Sequence, residues 1–151
     1  MMKILVFAHD ATMYGASQSL LTALRGISER PDRKLLVILP YKGMLEQALV
    51  EYGIEYSVRS FPRCVEFKNK STSLWRTLKK YRAYRRQVRL TFPDLEKIGL
   101  EFRPDVIYTN TSVVAVGYAL ARKLRVPHVW HIREFGDRDY DFIYFPSSAA
   151  R

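Results

Sequence analysis

The chain of 151 residues has one cysteine, no long apolar run and no complete glycine-rich nucleotide fingerprint. The single Cys64 excludes an internal disulfide and fits a reducing cytoplasm, and we interpret it as a small, partly buried residue. No segment approaches the roughly 20 apolar residues of a membrane-spanning helix, and no signal peptide precedes the first apolar run. We therefore expect a soluble protein of the cytoplasm, with one domain of this length.

Acidic residues are absent from residues 68–89, although the chain as a whole contains 15 of them. That segment carries nine of the ten net positive charges. Its basic residues would suit an anionic membrane surface or nucleic acid, or would form a solvated helix face. We favour the membrane surface over nucleic acid. The residues expected to contact it are Lys79, Lys80, Arg82, Arg85, Arg86 and Arg89, while Leu74, Trp75, Leu78, Tyr81, Tyr84 and Val88 are expected to share an apolar sector of the helix.

Apolar runs alternate with segments of helical spacing along the chain, and this order predicts an α/β fold with a mainly parallel sheet between two helix layers. The predicted strands are 3–9, 34–40, 54–59, 105–110 and 128–132. The predicted helices are 16–28, 44–52 (stopped by Gly53), a basic helix from about residue 73 that Pro93 interrupts or kinks, 95–102 and 112–124. Residues 60–72 are predicted to be a loop.

Parallel sheets of this kind bind ligands at the carboxyl ends of their strands. That rule selects 9–17, 109–112 and 131–134 as one rim. Gly15, between the first strand and the first helix, would let a phosphate approach the amides of Ala16 and Ser17, or would simply pack at the turn.

Three segments with distinct motifs meet the rim: Gly15-Ala16-Ser17-Gln18-Ser19-Leu20-Leu21, Asp105-Val106-Ile107-Tyr108-Thr109-Asn110-Thr111-Ser112, and Val126-Pro127-His128-Val129-Trp130-His131-Ile132-Arg133-Glu134. Together, in this order, they resemble motifs of family 4 glycosyltransferases. The resemblance implies a Rossmann-like three-layer α/β/α sandwich, the N-terminal, acceptor-side half of a GT-B enzyme. It also implies sugar transfer from a nucleotide sugar, with retention of configuration and without a metal or other cofactor.

The resemblance also assigns roles to rim residues. Gly15, Ala16 and Ser17 would face a donor diphosphate or an acceptor phosphate, and His131 would contact the transferred sugar or the acceptor. Asn110 and Thr111 would line the acceptor side, unless Thr111 or Ser112 caps the following helix. Glu134 would orient acceptor hydroxyls or Arg133, or form a surface salt bridge. The alternative to sugar or acceptor contact by His131 is a purely structural role in its strand.

In this family the C-terminal domain holds most nucleotide-sugar contacts, and no counterpart of it is found in this sequence. We therefore expect the chain alone to be inactive, with that domain following in the same polypeptide or in a separate one. The acceptor would be lipid-linked or membrane-proximal, in polysaccharide or glycolipid synthesis. The alternatives are a non-catalytic membrane-docking subunit of a split glycosyltransferase and a basic nucleic-acid-binding domain.

One metal hypothesis is rejected and a second is disfavoured. His128 and His131 are three apart in a strand and would point to opposite faces of the sheet. The pairs Asp137/Asp139 and Asp139/Asp141 match a short, common acidic pattern of metal-dependent transferases, which would need much more chain after it.

Overall fold

A computed structural model describes residues 1–67, 74–132 and 142–145 of the chain. The helices are α1 (Ala16–Ser28), α2 (Met44–Glu51), α3 (Leu74–Phe102) and α4 (Val116–Leu124). The strands are β1 (Met2–Phe7), β2 (Arg33–Leu39), β3 (Glu55–Val58), β4 (Val65–Phe67), β5 (Val106–Asn110), β6 (His128–His131) and β7 (Phe142–Tyr144).

The main sheet confirms the predicted parallel architecture. Its five strands run in the order β3-β2-β1-β5-β6, and every pairing between them is parallel. Alternate residues of β1 point to opposite faces, so that Ile4 and Val6 pack under α1 and α2, whereas Leu5 and Phe7 pack under α3 and α4. One buried apolar cluster thus lies on each face of the sheet, between the sheet and a pair of helices. The domain is therefore a three-layer α/β/α sandwich.

The helix stop predicted at Gly53 is confirmed. Gly53 has φ +64°, and its N–H donates to the carbonyl of Val50, while Ile54 donates to Leu49. This pattern ends α2 because it satisfies the last carbonyls of the helix with the chain in a left-handed turn.

Of the two effects predicted for Pro93, an interruption or a kink of the helix, the interruption is wrong. Helix α3 continues through Pro93 to Phe102, so residues 95–102 are not a separate helix. A proline removes one backbone hydrogen bond from a helix interior. Here Leu95 is buried against the core and Ile98 and Phe102 pack beside it, and this burial favours continuation of the helix.

Residues 60–72 are not entirely a loop, because β4 forms an antiparallel pair with β7. This second sheet is anchored to the segment after β5. The Cys64 N–H donates to the Val113 carbonyl over 2.8 Å, and the Phe145 N–H donates to the Cys64 carbonyl over 2.7 Å. Cys64 is buried, and burial raises the pKa of its thiol to about 11, as fits an unreactive packing residue.

The same anchoring explains why α4 begins at Val116 and not at residue 112. The Val113 carbonyl is engaged by Cys64, and the Cys64 Sγ lies 3.5 Å from the Ser112 carbonyl. The Ser112 and Val113 carbonyls therefore bind the segment next to the small sheet, and they do not form the first turn of the helix. Ala115 occupies the cap position, so the capping role considered for Thr111 or Ser112 is wrong.

Gly117 offers a test of packing between α4 and the sheet. A Cβ at this position would lie 2.1 Å from Thr109 Oγ1 and 3.0 Å from a ring carbon of Phe7. We expect Gly117→Ala to lower the free energy of unfolding by about 1–3 kcal/mol, measured by chemical denaturation.

Gly26→Ala is the matched control for that substitution. Gly26 lies in α1, it is exposed, and a Cβ there would meet no atom within 4 Å. We expect it to stabilise the protein by about 0.5–1 kcal/mol, because alanine has the higher helix propensity. Equal effects of the two substitutions would contradict the packing described for Gly117.

Candidate functional site

Asn110 connects two of the three predicted rim segments at the carboxyl edge of the sheet. The side chain of Asn110, at the end of β5, is fully buried. Its Nδ2 donates to the Ala16 carbonyl at the start of α1 over 3.3 Å and lies 3.4 Å from the His9 Nδ1. The end of β5 is thereby joined to the loop after β1 and to the first turn of α1.

His131 adds the third segment. It pairs with Asn110 in the register of β5 and β6, and its carbonyl accepts the Thr111 N–H over 2.9 Å. Its Nδ1 is hydrogen-bonded to the hydroxyl of Tyr108, which fixes the orientation of the half-buried imidazole. The structure therefore brings Asn110 and His131 together at one end of the sheet.

The expectation that the two histidines point to opposite faces is confirmed. His128 is hydrogen-bonded to Thr109 Oγ1 over 2.9 Å, whereas His131 is hydrogen-bonded to Tyr108. Tyr108 and Thr109 are adjacent in β5, so their side chains, and the histidines that contact them, lie on opposite faces of the sheet. Burial lowers the pKa of His128. Within 1–67, 74–132 and 142–145, no group of three or more His, Cys, Asp and Glu residues is arranged to hold a metal ion.

Gly15 precedes α1 in a conformation that side-chain residues rarely adopt, with φ +47° and ψ −110°. An added Cβ would meet no atom within 4 Å. Among the described residues, nothing is packed against this position, so the backbone conformation of the turn, and not close packing, calls for a glycine. The turn is open on that side, as the approach of a ligand to the backbone requires.

Ser17 differs from the prediction in one respect. Its N–H already donates to the Tyr14 carbonyl over 3.0 Å, so this amide is engaged within the turn and is not directed at a ligand. The Ser17 hydroxyl is fully buried and, among the residues that the structure describes, has no hydrogen-bond partner. An isolated buried hydroxyl is costly, which marks the position as unusual.

Thr111 shows a second anomaly of the same kind. It is β-branched and buried, has φ +68°, and its Oγ1 has no partner in the described part of the chain. Its backbone is held on both sides: the N–H donates to His131, and the carbonyl accepts the Trp130 Nε1–H over 2.7 Å. A left-handed threonine is strained, and such strain concentrates at functional sites.

A charged cluster is centred on Asp10 of the rim segment 9–17, and no sequence signal identified it. The Asp10 carboxylate accepts hydrogen bonds from the Tyr41 hydroxyl (2.7 Å), the Thr12 N–H (2.7 Å) and the Arg63 guanidinium (2.9 Å). Arg63 also reaches the His9 carbonyl over 3.3 Å. Partial burial acts to raise the pKa of Asp10, but the bonds from Tyr41 and Thr12 and the charge of Arg63 lower it to about 2. Only proximity in the fold joins these residues, which come from three separate segments.

Some predicted residues lie outside the described residues. These are Arg133, Glu134 and the acidic residues Asp137, Asp139 and Asp141. The predicted surface cations are all exposed on α3: Lys79, Lys80, Arg82, Arg85, Arg86 and Arg89. No helix in the described parts of the chain is long and apolar enough to cross a membrane.

No protein-family model matches the chain, and no curated protein matches it either. Solved structures do match. HepE from Anabaena, in complex with UDP and glucose, superposes with a TM-score of 0.60 and 22% identity, over 89% of this chain and 30% of HepE. The spinosyn rhamnosyltransferase SpnG, complexed with thymidine diphosphate, gives a TM-score of 0.54 and 15% identity, over 87% of this chain and 34% of SpnG.

A putative UDP-N-acetylglucosamine 2-epimerase from Listeria monocytogenes gives a TM-score of 0.53 and 9% identity, over 85% of this chain and 30% of that protein. The chain thus spans about a third of the length of these structures. At these identities the matches show the fold, which is that of a GT-B, Rossmann-like domain.

The Asp10 cluster predicts a pH dependence of stability. Because the pKa of Asp10 is lowered in the folded protein, its contribution is complete above the ordinary value of 3.8 and is lost as the pH falls towards about 2. We expect Asp10→Asn to lower the free energy of unfolding by about 1–2 kcal/mol at pH 7 and by progressively less between pH 4 and pH 2. Urea denaturation across this pH range measures the difference.

Tyr41→Phe keeps the ring and removes only the hydroxyl donor, so it should give a smaller loss with the same pH dependence. Asp94→Asn, at an exposed position of α3, is the control and should leave the pH profile unchanged. A difference between wild type and Asp10→Asn that does not vary between pH 7 and pH 2 would contradict the electrostatic role of the cluster.

Proposed function

We propose that this chain is the N-terminal half of a GT-B glycosyltransferase, related to family 4, and that its carboxyl-edge rim forms one wall of the sugar-transfer cleft. The supporting observation is the meeting of Asn110, His131 and the open Gly15 turn at one edge of the sheet. These are the residues in which the sequence resembles family 4. Parallel α/β sheets bind their ligands at this edge. The match to SpnG, a rhamnosyltransferase with bound thymidine diphosphate, agrees with the proposal.

The rim residues take the following roles. Gly15 and the Ala16 amide approach the donor diphosphate or an acceptor phosphate, where the start of α1 favours negative charge. The His131 imidazole contacts the sugar or acceptor and donates a hydrogen bond or moves a proton there. Its Nδ1 is hydrogen-bonded to the Tyr108 hydroxyl, so Nε2 is the atom that contacts the sugar or the acceptor. Asn110 and Thr111 support the acceptor side, and Arg133 and Glu134 complete it.

The Ser17 amide is engaged by the Tyr14 carbonyl, so the phosphate contacts are assigned to Gly15 and the Ala16 amide. The transfer proceeds with retention of configuration and needs no metal or other cofactor, as in family 4. The nucleotide sugar is held mainly by a C-terminal domain, in the same polypeptide or in a partner chain. The acceptor is lipid-linked or membrane-proximal, in polysaccharide or glycolipid synthesis, and this chain alone is inactive.

A second candidate function is a non-catalytic subunit of a split glycosyltransferase, which holds a separate catalytic chain at a membrane. The exposed basic residues of α3 favour it, because they belong to none of the rim segments and a docking role needs no chemistry at the rim. Transfer activity that does not depend on His131 would select this candidate.

The two histidines of β6 provide the test. In the polypeptide or complex that carries both halves, His131→Gln should lower kcat for sugar transfer about 100-fold or more, because the group that contacts the reacting sugar is lost. His128→Gln, on the opposite face of the sheet, should change kcat less than about threefold. Chromatography of the labelled sugar product measures transfer and separates it from epimerisation of the donor.

Thermal unfolding of both variants controls for misfolding, since each histidine has a hydrogen-bond partner in β5. Equal losses of activity with equal losses of stability would mean that His131 is structural. Full transfer activity by residues 1–151 alone would overturn the requirement for a second domain.

A further inference from the structure

Helix α3 turns a mixed basic and apolar face to solvent. At 100° per residue, one sector of about 120° contains Trp75, Leu78, Lys79, Arg82, Arg86, Arg89 and Leu90, which we call the outer face. Every one of these residues is exposed, and Trp75 is exposed to 70% and Leu90 to 68%. The outer face is about 22 Å long, at 1.5 Å per residue.

The opposite side of α3 fixes this orientation. Tyr84 is buried against Cys64, Ala115 and Phe145, and its ring centroid lies 5.5 Å from that of Phe145. Tyr81 and Val88 pack against the same cluster. The residues predicted to share one apolar sector therefore lie on two sides of α3. The two tyrosines and Val88 pack against the domain, whereas Trp75 and Leu78 are exposed on the same side as the arginines.

The cations of α3 also fall into two groups. Lys80 pairs with Glu66 over 2.9 Å, and the Arg85 guanidinium lies over the Tyr81 ring, so both have partners at the flanks of the helix. In the described part of the chain, no carboxylate lies within ion-pairing distance of Lys79, Arg82, Arg86 or Arg89. Four cations that repel one another thus share a face with two large apolar side chains and Trp75.

We propose that the outer face of α3 is a docking surface for an anionic phospholipid membrane. Lys79, Arg82, Arg86 and Arg89 contact lipid phosphates, while Trp75, Leu78 and Leu90 enter the headgroup region. An amphipathic indole among cations is typical of helices that lie in the membrane interface. A nucleic-acid surface would match the charge, but it gives no reason to expose two leucines at opposite ends of the same face. The tyrosines on the inner side tie the docked helix rigidly to the domain.

This inference deepens the proposed function, since it gives the surface that brings a membrane-proximal acceptor to the rim. It does not depend on transfer activity. Binding of the chain to vesicles without any nucleotide sugar tests it alone, and failure of the transferase proposal would leave the result unchanged.

The experiment is co-sedimentation of the chain with large vesicles of phosphatidylcholine, with or without 30% phosphatidylglycerol, at 0.1 M salt. We expect binding only to the anionic vesicles, weakening as salt rises. Arg82→Gln with Arg86→Gln should weaken it about 25-fold, at roughly fivefold per charge. Lys80→Gln with Arg85→Gln removes the same charge from the flanks, is the matched control, and should weaken binding less than fivefold.

A fluorescence measurement reports the apolar contact separately. In a Trp130→Phe background, Trp75 is the only tryptophan of the chain, and its emission should shift to shorter wavelength when anionic vesicles are added. Circular dichroism checks that each variant is folded. Equal losses from the outer and flank pairs would overturn the proposal, as would an unshifted emission. Tighter binding to duplex DNA than to vesicles at matched salt would assign the face to nucleic acid, and binding to neither would leave it a solvated surface.

Discussion

The buried side chain of Asn110 is the contact on which the rim depends. A carboxamide removed from water must find partners, and here its Nδ2 group lies between the Ala16 carbonyl and the His9 imidazole. Those two atoms belong to the loop after β1 and to the first turn of α1. The position of the Gly15 turn relative to β5 therefore follows from one polar group that cannot be left unpaired. A substitution that removed the amide would leave the Ala16 carbonyl without that donor.

The segment after β5 is tied from several directions at once. Thr111 is held by His131 and Trp130 of β6, and Val113 is held by Cys64 beside β4. Ser112 Oγ is hydrogen-bonded to the Tyr144 hydroxyl of β7 over 2.8 Å. These bonds account for the left-handed backbone at Thr111, since strain persists only where its surroundings fix the chain. Because of these bonds α4 begins only at Val116, and the buried hydroxyl of Thr111 lies at the sheet edge and not inside a helix.

Much of this fold can be predicted from sequence, because apolar runs and helical spacing directly reflect burial on a parallel sheet. Helix α1 was predicted with its observed bounds, and Gly53 ends α2 as predicted. Local pattern failed where distant segments decide the outcome. The β4–β7 pair consists of three-residue strands, too short for a periodic signal, and the Asp10, Tyr41 and Arg63 cluster joins residues from three segments. Continuation of α3 through Pro93 depends in the same way on the burial of Leu95.

The small sheet joins the rim to the long basic helix. Tyr84 and Tyr81 of α3 pack on Phe145. The Phe145 N–H is hydrogen-bonded to the Cys64 carbonyl, and the Cys64 N–H is hydrogen-bonded to the segment that carries Thr111. A rotation of α3 would have to break this buried aromatic contact, because interiors are packed too densely to deform gradually. The rim and the outer face of α3 are therefore held in one fixed relation. If that face lies on a membrane, the rim stands at a set orientation above it, as transfer to an acceptor anchored in the same membrane would require.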